Sequence, residues 1–218
     1  MRWSRFSALP VSAVLLAAGC AAGSPASHHT SHPASAAAAA SASASASALP
    51  APSGLLVTVQ IGHYTQEFAG PVPTDPAQAS VIDGFREAEV LFNKSEQAGS
   101  LVAPVLQFVV GVALARLAQA ITLGEKTGIV IAGTDEFFMT TVTSLSATTA
   151  TVTTCDNSSK LTGMHKATGQ IDNAYAPTAD EAYALEYWNM VRDSGHWAIS
   201  TYSVISLPDK RAQSCRQG

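Results

Sequence analysis

Beyond residue 54 the apolar positions fall into two rhythms. Over 75–99 they recur at helical spacing: Val81, Phe85, Ala88 and Phe92, joined by Ile82 and Val90. Asp83, Arg86, Glu87, Asn93, Lys94 and Glu96 take much of the remaining surface, which predicts a helix with one buried stripe. Asp75-Pro76-Ala77-Gln78 supplies its start: a carboxylate for the first-turn amides, a proline at the first helical position and a glutamine that can reach back. Gly99 ends it. The next stretch, Leu101 to Leu123, is apolar nearly all round and predicts a helix buried against a sheet, closed by Gly124. A membrane span fits it poorly. Only Leu101 to Ala115 precedes Arg116 without a charge, short of the ~20 residues that hydrocarbon demands. Arg116 would also sit well inside the bilayer.

From Thr127 the period changes to two. Ile129 to Ala132 is apolar, and Phe137–Leu145 and Thr149–Cys155 are rich in Thr and Val, with Ser146-Ala147-Thr148 as a hairpin connection. Leu185–Arg192 and His196–Ile205 form a second pair, turned at Asp193-Ser194-Gly195. Ahead of the helices, Leu55 to Ile61 reads as an edge strand or extended arm, followed by Tyr64, Phe68 and the breakers Gly70, Pro71 and Pro73. Helices first and antiparallel strands after them predict an α+β domain over 54–218, its N-terminal helices packed on a curved antiparallel sheet.

Before residue 54 the pattern is of another kind. Arg2 and Arg5 give a positive start, and Phe6 to Ala18 is an apolar run suited to a signal-peptide core. It ends in Leu16-Ala17-Ala18-Gly19-Cys20, which looks like a bacterial lipobox. In that reading residues 1–19 are removed and the soft thiolate of Cys20 takes the diacylglyceryl group; ordinary cleavage near Ala18 or Ala22 is the alternative. Each buried methylene contributes about 0.8 kcal/mol, so a two-chain lipid holds a protein on the outer leaflet without a spanning helix. Residues 20–53 then form the anchor and a tether, because 21–53 carries no Asp, Glu, Lys, Arg, Phe, Tyr or Trp and only Leu49 as a large aliphatic. As a coil, that length spans on the order of 30 Å. His28, His29 and His32 lie within it and read as part of a polar spacer, since nothing around them could support a metal site.

Composition adds exclusions. The 218 residues hold 12 Lys and Arg against 16 Asp and Glu, a formal charge of −4 with no basic block, so no electrostatic grip on nucleic acid is expected. The 47% hydrophobic content is inflated by alanine, much of that alanine lying in the first fifty residues, and it does not argue for a membrane-embedded chain. Beyond Cys20 two cysteines remain, Cys155 and Cys215. In an exported protein an even remainder reads as one disulfide, with a reactive thiol pair or metal site as the alternative. Closing a loop of that length corresponds to roughly 4 kcal/mol in the chain-entropy model.

The order of elements, with Val152-Thr153-Thr154-Cys155-Asp156 in one strand and Gly195-His196-Trp197-Ala198-Ile199 in the last, resembles actinobacterial secreted lipoproteins with a nuclear transport factor 2-like (cystatin-like cone, SnoaL-like) domain. The resemblance covers about residues 76–216, including Thr168-Gly169 and a terminal cysteine like Cys215. It implies a concave sheet closed by helices around an apolar cavity. Polyketide cyclases, ketosteroid isomerase and scytalone dehydratase share that cone and place an Asp, His or Tyr inside it to move a proton beside a carbonyl.

Here the residues available for that role are Asp135, Glu136, His165, His196, Tyr64 and Tyr187. None lies in a motif matching those enzymes, so no catalytic residue is assigned, and no cofactor or metal is expected. Asp135 and Glu136 follow Gly133-Thr134 and read as a solvated turn. His196 reads as a structural hydrogen-bonding group, and Asp156 as satisfying loop amides or facing water. Trp188 and Trp197 read as a cross-strand aromatic pair. The functional expectation is a membrane-anchored, non-enzymatic envelope module that holds a small apolar ligand or an envelope protein, with a homodimer through the open sheet face as a further arrangement. A secreted isomerase, cyclase or dehydratase is the alternative.

Overall fold

The computed structural model describes residues 56–216. The expected signal peptide over 1–19, Cys20 and the tether over 20–53 with its histidines lie outside the described residues.

The fold class is the expected one: helices come first after a short hairpin, and they pack on a curved, unclosed sheet. Helix α1 spans Pro76–Ala98. The Asp75 carboxylate accepts from the amides of Ala77 at 2.7 Å and Gln78 at 3.1 Å, so two donors of the first turn are satisfied. Gly99 closes the helix at φ 72°, a left-handed position where a side chain would clash.

The long buried helix expected over 101–123 is not continuous. The chain forms a single turn, α2 (Val105–Phe108), and then α3 (Gly111–Thr127). Between them Val109 and Val110 are extended, and the Val110 amide donates to the Ile199 carbonyl at 2.9 Å. The backbone there joins the sheet instead of extending the helix. α3 also runs past Gly124, whose carbonyl accepts the Gly128 amide at 2.8 Å and forms the true C-terminal cap. Nor is the segment buried all round, since Leu106 and Val112 stand more than half exposed. Among the described residues, no helix is long and apolar enough to cross a membrane.

Seven strands build the sheet: β1 (Val57–Ile61), β2 (Tyr64–Phe68), β3 (Ile129–Leu145), β4 (Thr149–His165), β5 (Ile171–Asp172), β6 (Tyr183–Asp193) and β7 (His196–Ser206). Their order is β1-β2-β3-β4-β6-β7, with β5 paired to β4. The expected single arm is therefore a hairpin, and β2 pairs with β3 in parallel, Tyr64 opposite Gly133 and Phe68 opposite Phe137. All other pairs of these strands are antiparallel, so the sheet departs from the expected antiparallel pattern at this junction and at the isolated parallel bridge between Val109 and Ile199. β3 is one continuous strand, not two, and it runs through Asp135 and Glu136. Register shifts at Thr134/Glu136, Phe138/Thr141 and Val142/Ser144 let it bend, because each extra residue on one strand adds local twist.

The disulfide joins Cys155 on β4 to Cys215 in the 3-10 turn Lys210–Arg216, with Cα atoms 5.2 Å apart. It forms a small apolar cluster with Phe138, packed by Ala69 and Leu185.

Candidate functional site

Opposed residues of neighbouring strands share a face, so the register defines the concave side of the sheet. One row crosses five strands: Phe68, Phe137, Asp156, Ala184 and Ser206. A second row holds Thr154, Glu186 and Val204, and a third Val142, Val152, Trp188 and Tyr202.

α1 fills one half of this face. Phe85 meets Phe68 and Phe137 edge-on with centroids at 6.3 and 6.1 Å, while those two rings stack on each other at 5.2 Å. Phe85 also touches Trp188 at 5.5 Å, and Trp188 stacks on Tyr202 at 4.5 Å. Trp188 thus pairs with Tyr202 and not with Trp197, whose register partner is Arg192. The helix comes close to β7 at Gly84, where an added Cβ would lie 2.5 Å from the Trp197 Cβ. Arg116 of α3 completes the cover, donating to the Tyr202 carbonyl at 2.6 Å with its guanidinium 4.7 Å from the ring centroid.

Polar groups inside this packed half are engaged with one another. Tyr64 Oη donates to Asp135 Oδ2 at 2.8 Å, and both residues are fully buried. Asn93 Nδ2 donates to Glu89 Oε2 at 3.3 Å, and Gln66 Nε2 approaches the same oxygen at 3.5 Å. Trp188 Nε1 donates to Glu186 Oε2 at 3.1 Å. Buried polar groups are tolerated when hydrogen-bonded in this way.

The other half of the face is open. A cavity of about 240 Å³ lies there. Its sheet side is built from Ile129 and Ile131 of β3, Asp156, Ser158 and Leu161 of β4, Ala184 of β6, and Val204 and Ser206 of β7. Its cover is the segment between β5 and β6, through Ala174–Thr178 and Glu181. Tyr175 can close down on the strands because residue 163 has no side chain: a Cβ on Gly163 would lie 2.8 Å from the Tyr175 Cβ and 2.9 Å from its ring. Glu181 stabilises the turn, its Oε2 accepting from the Thr178 amide at 3.1 Å and hydroxyl at 2.7 Å.

Of the six ionisable residues singled out from sequence, the structure brings together only Tyr64 and Asp135, and neither lines the cavity. Asp135 is no solvated-turn residue; it sits at a register shift in mid-strand. Glu136 is half-buried and accepts from Asn157 Nδ2 at 3.3 Å. His165 lies 3.5 Å from Asp172 at the far end of β4. His196 is exposed, its ring 5.3 Å from that of Phe108, and Tyr187 stands opposite Thr153 and Ser203. Asp156 corrects the sequence reading most: it is 2% exposed in the middle of a strand and forms part of the cavity wall. Tyr175 and Glu181 had no place in that reading. The available signal was one aromatic residue ahead of Pro177 in an otherwise polar connection. Among the described residues, no three His, Cys, Asp or Glu side chains are grouped to hold a metal ion.

No family model matches the chain, and no curated protein does. Solved structures align at low identity. An NTF2-like protein with a cystatin-like fold from Novosphingobium aromaticivorans is 14% identical over 62% of this chain and 88% of its own, with a TM-score of 0.38. A ketosteroid isomerase-like protein from Erwinia carotovora atroseptica is 16% identical over 61% and 98%, with a TM-score of 0.36. The intermembrane space region of the chloroplast protein ARC6 is 14% identical over 62% and 99%, also at 0.36.

Proposed function

We infer that the protein is a small-ligand-binding module of the NTF2-like cone type, non-enzymatic, held at the outer face of the cell membrane by lipid on Cys20. The observation that carries the binding role is the division of the concave face. Aromatic packing closes one half, and the other keeps a mostly apolar cavity of about 240 Å³ under a separate covering segment. That volume lies just below the ~300–1,000 Å³ of pockets for drug-sized molecules, so the occupant is small. The anchor rests on the Leu16–Cys20 pattern and the uncharged tether after it.

Native mass spectrometry of protein purified from its own host tests the role. A small molecule bound to the wild type and lost in Ala184→Leu, which fills the cavity, is the expected result; wild-type protein that is always empty overturns it. The same spectra read the anchor, since a mature N-terminus without acylated Cys20 ends that part of the proposal. One observation favours the alternative of general acid–base catalysis, namely the buried Asp156 carboxylate in the wall. Turnover of the co-purified molecule, abolished by Asp156→Asn, would select it.

A further inference from the structure

We propose that the cavity selects small organic cations, an amine or ammonium group on a compact apolar body. The inference rests on the binding role above and adds the ligand's charge. Its basis is the one-sided chemistry of the wall. Two carboxylates contribute to it, Asp156 on the sheet side and Glu181 on the covering segment, while none of the lining residues is Lys, Arg or His. The other polar contributors are hydroxyls: Ser158, Thr162, Thr178, Ser206 and the phenol of Tyr175. Hydroxyls and carboxylates accept hydrogen bonds from an ammonium group, whereas an anion would meet acidic walls of low polarisability with no positive partner. The Tyr175 ring adds an aromatic surface suited to a cation. Ile129, Ile131, Leu161 and Val204 provide the contact for an apolar body. Asp156 is almost fully withdrawn from water, so salt screens its interaction with a bound cation far less than it would at the surface.

Three probes of matched shape separate the charge from the binding. Phenethylamine, 2-phenylethanol and 3-phenylpropionate are titrated into the full-length protein by ligand-observed NMR. The amine is expected to bind about tenfold or more tighter than the alcohol, the difference made by a charge-assisted hydrogen bond, and the carboxylate to bind weakest. Asp156→Asn should lower the amine's affinity about tenfold and leave the alcohol's unchanged. Glu181→Gln, on the covering segment where the sheet is undisturbed, should lower it by a smaller factor, and it carries the test if Asp156→Asn fails to fold. Equal binding of amine and alcohol, or preference for the carboxylate, overturns the cation selectivity and leaves the binding role standing. No binding of any probe overturns both.

Discussion

The two halves of the concave face share strands, register and even rows, yet one is solid and the other hollow. The row running from Phe68 to Ser206 shows why. Its first two positions are aromatic rings that meet Phe85 of α1; its last two are Ala184 and Ser206, too small to reach a covering layer. The cover differs as well. A 23-residue helix with a continuous apolar stripe presses onto one half, whereas a connection with one aromatic residue spans the other. Close packing is a property of what two facing surfaces present jointly, not of the sheet alone.

The sharpest way to break this contrast is to hollow out the solid half. Phe85→Ala removes a fully buried ring with three aromatic neighbours and should cost about 3–5 kcal/mol, read from urea unfolding at constant m-value. Replacing Cys155 and Cys215 with Ala releases the clasp behind β4 and should cost up to about 4 kcal/mol, since the bond closes a 60-residue separation. Reduction of the wild type should reproduce that loss. Filling experiments form a matched pair. Gly84→Ala, with its Cβ 2.5 Å from that of Trp197, should cost about 1–3 kcal/mol, whereas Ala184→Leu should leave stability within about 1 kcal/mol of the wild type. If the two cost the same, the second half is not hollow.

The smallest effect lies outside both halves. Hydrogen bonds from the Arg211 side chain, and then from its backbone amide, hold the Asp209 carboxyl at about 2 against an ordinary 3.8. A lowered folded-state value means that the contribution is complete above pH 3.8 and is lost as the pH falls through about 2. An NMR titration should place the Asp209 midpoint there, and Arg211→Ala should return it toward 3.8. Both groups are exposed, so the global unfolding midpoint should barely move.

Features set by neighbours along the chain were the legible ones. α1 was readable at both ends because Asp75, Pro76 and Gly99 act within a turn of where they stand. Hairpins β3–β4 and β6–β7 were readable from alternation and turn residues, although the first proved much longer than its alternating parts. Features set by distant partners were not. Nothing local says that Val109 and Val110 leave a helical run to meet Ile199, or that β2 lies parallel to β3. Asp135 and Asp156 looked like solvent-facing carboxylates because their burial depends on register shifts and on a covering segment read only as polar connection. The candidate site was therefore almost invisible in the sequence: its walls combine ordinary aliphatics and small residues with two carboxylates and a few hydroxyls from separate segments, and only their assembly makes a cavity.

The parallel junction carries a consequence for how the molecule comes together. Antiparallel neighbours from β3 to β7 find each other across short connections, apart from the polar stretch before β6. β2 instead must hold its place against Gly133–Phe137 with three helices intervening in the chain. Ring closure over that distance gains nothing until α1 and α3 are seated, so the opening hairpin docks onto a scaffold already made. The strands that emerge first from synthesis are therefore expected to be the last to find their place, an order that pulsed hydrogen exchange would read as late protection of Val57–Phe68.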